Sequence, residues 1–232
     1  MTFMSAFPSY PRPIPSLVRQ QGTGKLCESD RDPYLMSFGT GGLYLNETLA
    51  VAALHEPGAS WEETAIRARE AGAFPVRKAS SAKRTIREIT HRLRCLDAEE
   101  LRLLLAGDRD DQLALLWLAT CRAYRFIAEF AEEVVVDRYQ SFRTDLTYDD
   151  FDAFFAGKSE WSDKLAGISR TTRDKLRAVL FRLAREAGII GRDDRIRGAM
   201  LSGRLIALIE HKGAGELRFF PGAQPLSPRG RP

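Results

Sequence analysis

From about residue 34 to residue 220, apolar positions recur at helical spacing and are interrupted by Gly, Pro and short polar residues that cap or stop helices. The pattern predicts a mainly helical, all-α chain. Asn46 is placed to cap a helix through about His55, which Pro57-Gly58 ends, and Ser60 with Glu63 three residues on forms a capping box for a helix through about Ala71. A third helix begins near Ser80 or Ser81, and a short amphipathic one covers about Asp97 to Ala106. Asp108 then caps a long helix whose apolar positions Leu113, Leu116, Trp117, Tyr124, Ile127, Phe130 and Val134 continue toward Tyr139, which makes it the central core element. Thr147 caps Tyr148 to Ala156 with a break at Gly157, Ser159 opens a short helix near Trp161 to Ala166, and Ser169 or Thr171 caps another through about Ala187. The last helix runs from Ser202 to about His211, with Leu217 to Phe220 read as a short strand.

Outside that region, residues 1–33 are rich in Pro, Gly and Ser without a sustained apolar period, and are read as an extended or disordered arm; 221–232 read as a flexible tail. The remainder divides into an N-terminal helical domain, 34–144, and a C-terminal winged helix-turn-helix-like domain, 145–220. The longest nearly uncharged apolar run, Leu113 to Cys121, is about half of the roughly 20 residues a membrane-crossing helix needs. Pro8, Pro11, Pro13 and Pro15 stand where a secretion signal requires an unbroken apolar stretch. A cytoplasmic protein without membrane contact is expected.

Net charge is +4, but it is unevenly spread: Arg77–Arg94 carries seven basic residues and one acid, Glu88, and Arg170–Arg197 carries nine basic and four acidic, so the rest of the chain is net negative. On a helical wheel Lys83, Arg84, Arg87, His91 and Arg94 fall within one face about 100° wide, whereas Ile86, Ile89, Leu93 and Leu96 lie between about 220° and 300°. A cationic stripe on a rigid helix suits phosphate neutralisation, and its arginines can also reach guanine edges in a major groove. Lys78, in the same basic stretch just before the helix, is a further candidate contact. In the second region Leu165-Ala166-Gly167-Ile168-Ser169 leads into Thr171-Thr172-Arg173, Leu176, Val179, Leu180 and Leu183, then Ala187-Gly188. This is the order of a short helix, a tight turn, a capped recognition helix and a glycine stop, with Ile189-Ile190 and Arg195-Ile196-Arg197 as strands of a small β-wing around Asp193-Asp194. Arg170, Thr172, Arg173 and Arg177, with Ser169, then face nucleic acid, joined by Arg195 and Arg197 of the wing.

Catalytic and cofactor chemistry finds little support. Cys27, Cys95 and Cys121 are far apart with no C-x-x-C pair, and His55, His91 and His211 are equally scattered, so no metal site is predicted. Gly22-Thr23-Gly24-Lys25 lacks the glycine and hydroxyl of a phosphate-binding loop, since Arg19 and Leu26 occupy those places. Gly39, Gly41 and Gly42 read as a turn into the next helix rather than an anion cradle. Asp145, Asp149, Asp150 and Asp152 suit a helix N-terminus better than a metal. No catalytic residue and no cofactor is predicted.

Several strings in one order are more specific than any of these. Tyr34-x-x-Ser37-Phe38-x-x-Gly41-Gly42-Leu43, Ser80-Ser81-Ala82-Lys83-Arg84 with Arg87-Glu88-Ile89, Trp117-x-x-x-Cys121-Arg122-x-Tyr124 leading to Glu129-Phe130, Leu146-Thr147-Tyr148-x-Asp150-Phe151-Asp152-x-Phe154-Phe155, and Lys158-x-Glu160-Trp161 are all present. Together they resemble the BrxA family of bacteriophage exclusion (BREX) systems, over most of residues 34–220. The resemblance implies a small helical, non-enzymatic component that binds double-stranded DNA and supports host-site methylation and phage restriction by larger partners such as a methyltransferase. It also implies likeness to the RNA-binding factor NusB, which keeps RNA open as a ligand. The family has carried an inner-membrane label, with which this hydropathy disagrees. After Trp161 the chain reads Ser162-Asp163-Lys164-Leu165 instead of a His-Pro-type continuation. A protein-interaction adaptor is the alternative, with the long helix and the Tyr34–Leu43 segment as its docking surface.

Overall fold

The computed structural model describes residues 34–39, 41–72, 79–212 and 214–223. In chain order it contains α1 (Leu45–Ala53), α2 (Trp61–Glu70), α3 (Ala79–Leu93), α4 (Ala98–Ala106), α5 (Arg109–Ala123), α6 (Arg125–Phe130), a π-helical segment (Ala131–Val136), α7 (Asp137–Gln140), α8 (Tyr148–Ser159), α9 (Asp163–Ala166), α10 (Arg170–Glu186), α11 (Gly203–His211) and a 3₁₀ segment (Ala214–Phe219). The expected all-α class holds, and the described residues include no strand. The expected arm and tail lie outside the described residues, apart from 221–223.

Local capping chemistry starts most of these helices. Ser60 and Glu63, Asp97 and Glu100, and Thr147 and Asp150 form reciprocal capping boxes, while Asp108, Ser162, Ser169 and Ser202 cap α5, α9, α10 and α11 through a single side chain. Five expectations change, one being the short helix, which starts at Asp163 behind Ser162 while Ser159 ends α8. Asn46 caps nothing: α1 starts one residue earlier, behind Tyr44 in the left-handed region at φ 57°. Gly157 does not stop α8, because Phe151, Phe154 and Phe155 pack its inner face into the core and outweigh a glycine cost of about 1 kcal/mol. Leu217–Phe220 belongs to the 3₁₀ segment and a following bend, with the Phe219 carbonyl accepting from Trp117 Nε1 at 3.0 Å. The long central helix is broken at Tyr124, whose φ of −133° and ψ of 97° separate α5 from α6.

The core is one cluster that draws on both predicted segments, 34–144 and 145–220, with α5 at its centre. Phe126 stands among Tyr34, Phe38, Phe151, Phe154 and Phe155, with ring centroids 5.1–6.3 Å away. The Tyr34–Leu43 segment runs as a strap across this core, and its Tyr34, Phe38 and Leu43 are buried. Tyr34 Oη donates to Glu129 (2.7 Å), the Leu43 amide donates to Glu186 at the end of α10 (2.6 Å), and Arg92 of α3 donates to the Gly42 carbonyl (2.9 Å). The docking surface expected of an adaptor, the strap and the long helix, is therefore spent inside the protein.

A second polar knot sits at the C-terminal end of α5. Arg122 is buried and donates twice to Glu100 (2.7 and 2.7 Å), twice to Glu216 (2.7 and 2.6 Å) and once to the Cys95 carbonyl (2.9 Å). One guanidinium thus ties the end of α3, α4, α5 and the 3₁₀ segment. Removing one partner of a buried ion pair leaves a charge without compensation. Arg122→Met is therefore expected to lower the unfolding free energy by about 3–5 kcal/mol. Urea denaturation reads this as a lower midpoint, and adding Glu100→Gln, which removes a stranded charge, is expected to restore part of the loss.

Candidate nucleic-acid interface

On α3 the inward and outward faces have opposite electrostatics. Glu88, the acid of this basic stretch, is buried, accepting from Tyr124 Oη at 2.7 and 2.8 Å and from Arg92 Nε at 2.8 Å. Arg92 is buried with it, so this pair cancels inside the fold. Lys83, Arg84 and Arg87 stay exposed, and none pairs with an acid among the described residues. The outer face of α3 is therefore more purely cationic than its composition suggests. Arg94 is exposed but lies 3.3 Å from Glu62. Lys78 lies outside the described residues.

His91 does not belong to this outer face. Its ring meets Tyr124 edge-on at 5.3 Å, and its Nε2 is buried with no hydrogen bond among the described residues. Burial lowers its pKa below the ordinary 6.5 against the attraction of Glu88, so at neutral pH it adds no charge.

The second basic region forms the expected succession of short helix, turn and longer helix. Ser162 caps α9 through the Leu165 amide, Gly167-Ile168 turn the chain, and Ser169 caps α10 through the Thr172 amide. Arg170 and Thr172, on the first turn of α10, are exposed. Arg173 and Arg177 are restrained by Asp152 of α8. Arg177 pairs with Asp152 and with Asp174 (3.0 Å) and lies over the Tyr148 ring at 4.7 Å. The Arg173 guanidinium lies 3.7 Å from Asp152 and 5.9 Å from the Phe155 ring.

After α10 the chain turns at Gly191–Asp194 and returns. The wing expected here is reduced to isolated antiparallel bridges, Ile190 with Ile196 and Asp145 with Arg195. Arg185 Nε donates to Asp194 at 2.7 Å and fastens the turn to α10, which leaves Arg195 and Arg197 exposed. Sequence reasoning passed over Arg182, Arg192 and Arg143, all exposed. For the first two the signal was available, since both lie in the basic stretch 170–197.

A cleft of about 440 Å³ lies between the strap, Arg109, Arg182 and Glu186. Its glycines do not form an open anion cradle: the Leu43 amide is taken by Glu186, and a Cβ at Gly42 would lie 2.2 Å from that carboxylate. No helix among the described residues is long and apolar enough to cross a membrane.

The model of the BrxA family matches residues 32–213, a range that contains every string quoted above. The chain belongs to the BrxA family. The BREX protein BrxA of Bacillus cereus (strain H3081.97) is 31% identical over 117 residues, so the matched stretch covers 50% of this chain and 58% of that curated relative. A crystal structure of an uncharacterized protein from Magnetospirillum magneticum superposes with a TM-score of 0.69 at 20% identity, covering 80% of this chain and 97% of that one. At that identity the likeness speaks for the fold. Membership in the BrxA family connects the protein with phage exclusion.

Because burial depresses the His91 pKa, the unfolded chain takes up a proton first as pH falls. Stability that is complete above about pH 6.5 is then lost progressively below it. His91→Gln is expected to flatten that loss between about pH 7 and 5 in urea titrations. At neutral pH it is expected to leave any DNA affinity, and its dependence on salt, unchanged.

Proposed function

We propose that this protein is a non-enzymatic, double-stranded-DNA-binding accessory component of bacteriophage exclusion, supporting host-site methylation and phage restriction carried out by larger partners, a methyltransferase among them. The observation that carries the reading is the sorting of charge on α3: its acid is buried with Arg92, and Lys83, Arg84 and Arg87 face outward without counter-charges among the described residues. An unpaired cationic stripe gains free energy at a polyanion by releasing condensed counterions, whereas paired surface charges gain little. The exposed first turn of α10 and the arginines of the wing-like turn supply a second set of contacts in the order of a winged helix-turn-helix.

Contacts of this kind position a protein on the duplex and read little sequence. Affinity is therefore set mainly by phosphates, and specificity is low. Arg173 and Arg177, the best placed for base edges, are held by Asp152 and contribute less than their charge suggests.

Fluorescence anisotropy with labelled duplex, single strands and matched RNA across a salt series tests this. Tight duplex binding that weakens linearly on a log–log plot is expected, and replacing Lys83, Arg84 and Arg87 by Gln is expected to reduce the magnitude of the slope by about 2.7. Flat affinity between low and moderate salt would sink the mechanism. Preference for RNA over duplex would move the protein toward a NusB-like role.

A further inference from the structure

Among the described residues three non-glycine positions have positive φ: Tyr44, Phe142 and Asp194. Two are explained by contacts. The Tyr44 ring lies where a Cβ at Gly41 would stand, and Asp194 is bound by Arg185. Phe142 differs. It occupies the left-handed position just past α7 at φ 58°, where the Phe142 amide bonds the Tyr139 carbonyl (3.1 Å) and the Arg143 amide bonds the Arg138 carbonyl (2.9 Å). Helices that end this way place glycine or asparagine at that residue, and a bulky side chain there is strained. A strained aromatic is ordinarily compensated by burial, yet Phe142 is 93% exposed. The fold therefore bears a backbone cost and leaves a large apolar ring in water.

The position of this ring explains what it serves. The Ile196 amide donates to the Thr144 carbonyl at 2.6 Å, Asp145 pairs with Arg195, and the Leu146 amide donates to the Asp194 carbonyl at 3.1 Å. Arg143 and Phe142 immediately precede this paired stretch, and Arg195 and Arg197 flank Ile196 on the facing segment. Phe142 therefore lies two residues before the stretch paired with the wing-like turn, in a neighbourhood whose exposed cations are Arg143, Arg195 and Arg197. The nearby acids are engaged: Asp145 and Asp150 by Arg138 at 3.0 and 2.7 Å, Asp193 by the Arg195 amide at 3.3 Å, and Asp137 by Arg143 at 3.6 Å. Arg138 also donates to the Asp145 carbonyl at 2.8 Å, which holds the turn rigid.

We propose that Phe142 is a base-stacking wedge that enters between adjacent base pairs of duplex DNA while Arg143, Arg195 and Arg197 hold the flanking phosphates. The inference rests on the duplex-binding reading above and adds a contact that phosphate neutralisation does not supply. Apolar wedges beside cationic groups are how architectural DNA-binding proteins unstack a step and bend the duplex. A ring already presented by a fixed turn loses little freedom on insertion.

The test uses the full chain, a duplex carrying 2-aminopurine in place of adenine at several steps, and the variants Phe142→Gly, Phe142→Trp and Arg143→Ala with Arg197→Ala. The wild type is expected to raise 2-aminopurine fluorescence on saturation. Phe142→Gly is expected to abolish that rise and weaken binding about 5- to 100-fold at an unchanged salt slope. It is also expected to melt a few degrees higher, because glycine relieves the left-handed position. Phe142→Trp is expected to retain the fluorescence rise. The double arginine variant is expected to lower the slope by about 2 and keep the rise at saturation. Duplex binding with steep salt dependence but no difference between wild type and Phe142→Gly would overturn the wedge and leave the duplex reading standing. Absence of duplex binding by the wild type would overturn both.

Discussion

The rest of the structure depends on the buried carboxylate of Glu88. A lone carboxylate in a core is costly unless every oxygen is matched, and here Arg92 meets it from α3 itself and Tyr124 from the break between α5 and α6. The phenol reaches it because the central helix breaks at Tyr124, where the backbone turns extended for one residue before α6 resumes. Burial, followed by the neighbouring Glu88 charge, pushes the Tyr124 pKa upward, so the phenol keeps its proton and remains a donor. Arg92 in turn fixes the Gly42 carbonyl, and through it the strap that meets α6 and α10. The same interaction gives the outer face of α3 its sign: the acid and one arginine of the basic stretch go inward as a pair, and what remains outside is cationic.

The strap has a comparable role where Tyr34 begins it. Glu129 accepts from Tyr34 and from Arg125 at 2.7 Å each and lies 2.8 Å from Lys158. Burial would raise its pKa, but those three donors together hold it below the ordinary value, so it stays ionised at neutral pH. Its folded pKa being depressed, the stability it contributes is present above the unfolded value near 4.5 and is lost as pH falls through the folded one. Because Lys158 sits on α8, this cluster ties the helix preceding the turn-and-helix unit to the strap.

Legibility in the sequence followed range. Caps are read within three residues, and Ser60, Thr147, Ser162, Ser169 and Ser202 all act as such; of these, Ser162 was missed in favour of Ser159. The amphipathic periods located the core faces of α3, α5 and α10 for the same reason. The break at Tyr124 left no trace, because Tyr124 continues the apolar period and the partner its phenol finds there, Glu88, lies 36 residues away. Gly157 misled in the opposite direction, since core packing from Phe154 and Phe155 overrides a local preference. For the candidate interface, a wheel orders residues around one helix and is blind to neighbours. It separated Lys83, Arg84 and Arg87 from the core, but could not show that Tyr124 draws in His91 or that Asp152 restrains Arg173 and Arg177. Phe142 gave no signal, because its conformation is set by the hydrogen bonds that close α7.

Under the proposed reading, the restraint of Arg177 limits how a duplex is engaged. To reach a base edge its guanidinium must leave Asp152 and Asp174 and come off the Tyr148 ring. That exposes a partly buried carboxylate to the phosphate field as well as losing the contacts. Arg170 and Thr172, up to about two turns earlier and exposed, meet the backbone without such a cost. A helix whose first turn is open and whose second turn is tied is suited to gripping the phosphate backbone at its N-terminus rather than to reading bases along its length. Under the proposed reading, Asp152 is a device that keeps α10 from discriminating between sequences, as a component that must act at many sites on foreign and host DNA requires. Replacing Asp152 by Asn would release Arg173 and leave Arg177 held only by Asp174 and the Tyr148 ring, so tighter binding with a steeper salt dependence is the outcome expected in the anisotropy series, and unchanged binding would show that the two arginines face away from DNA.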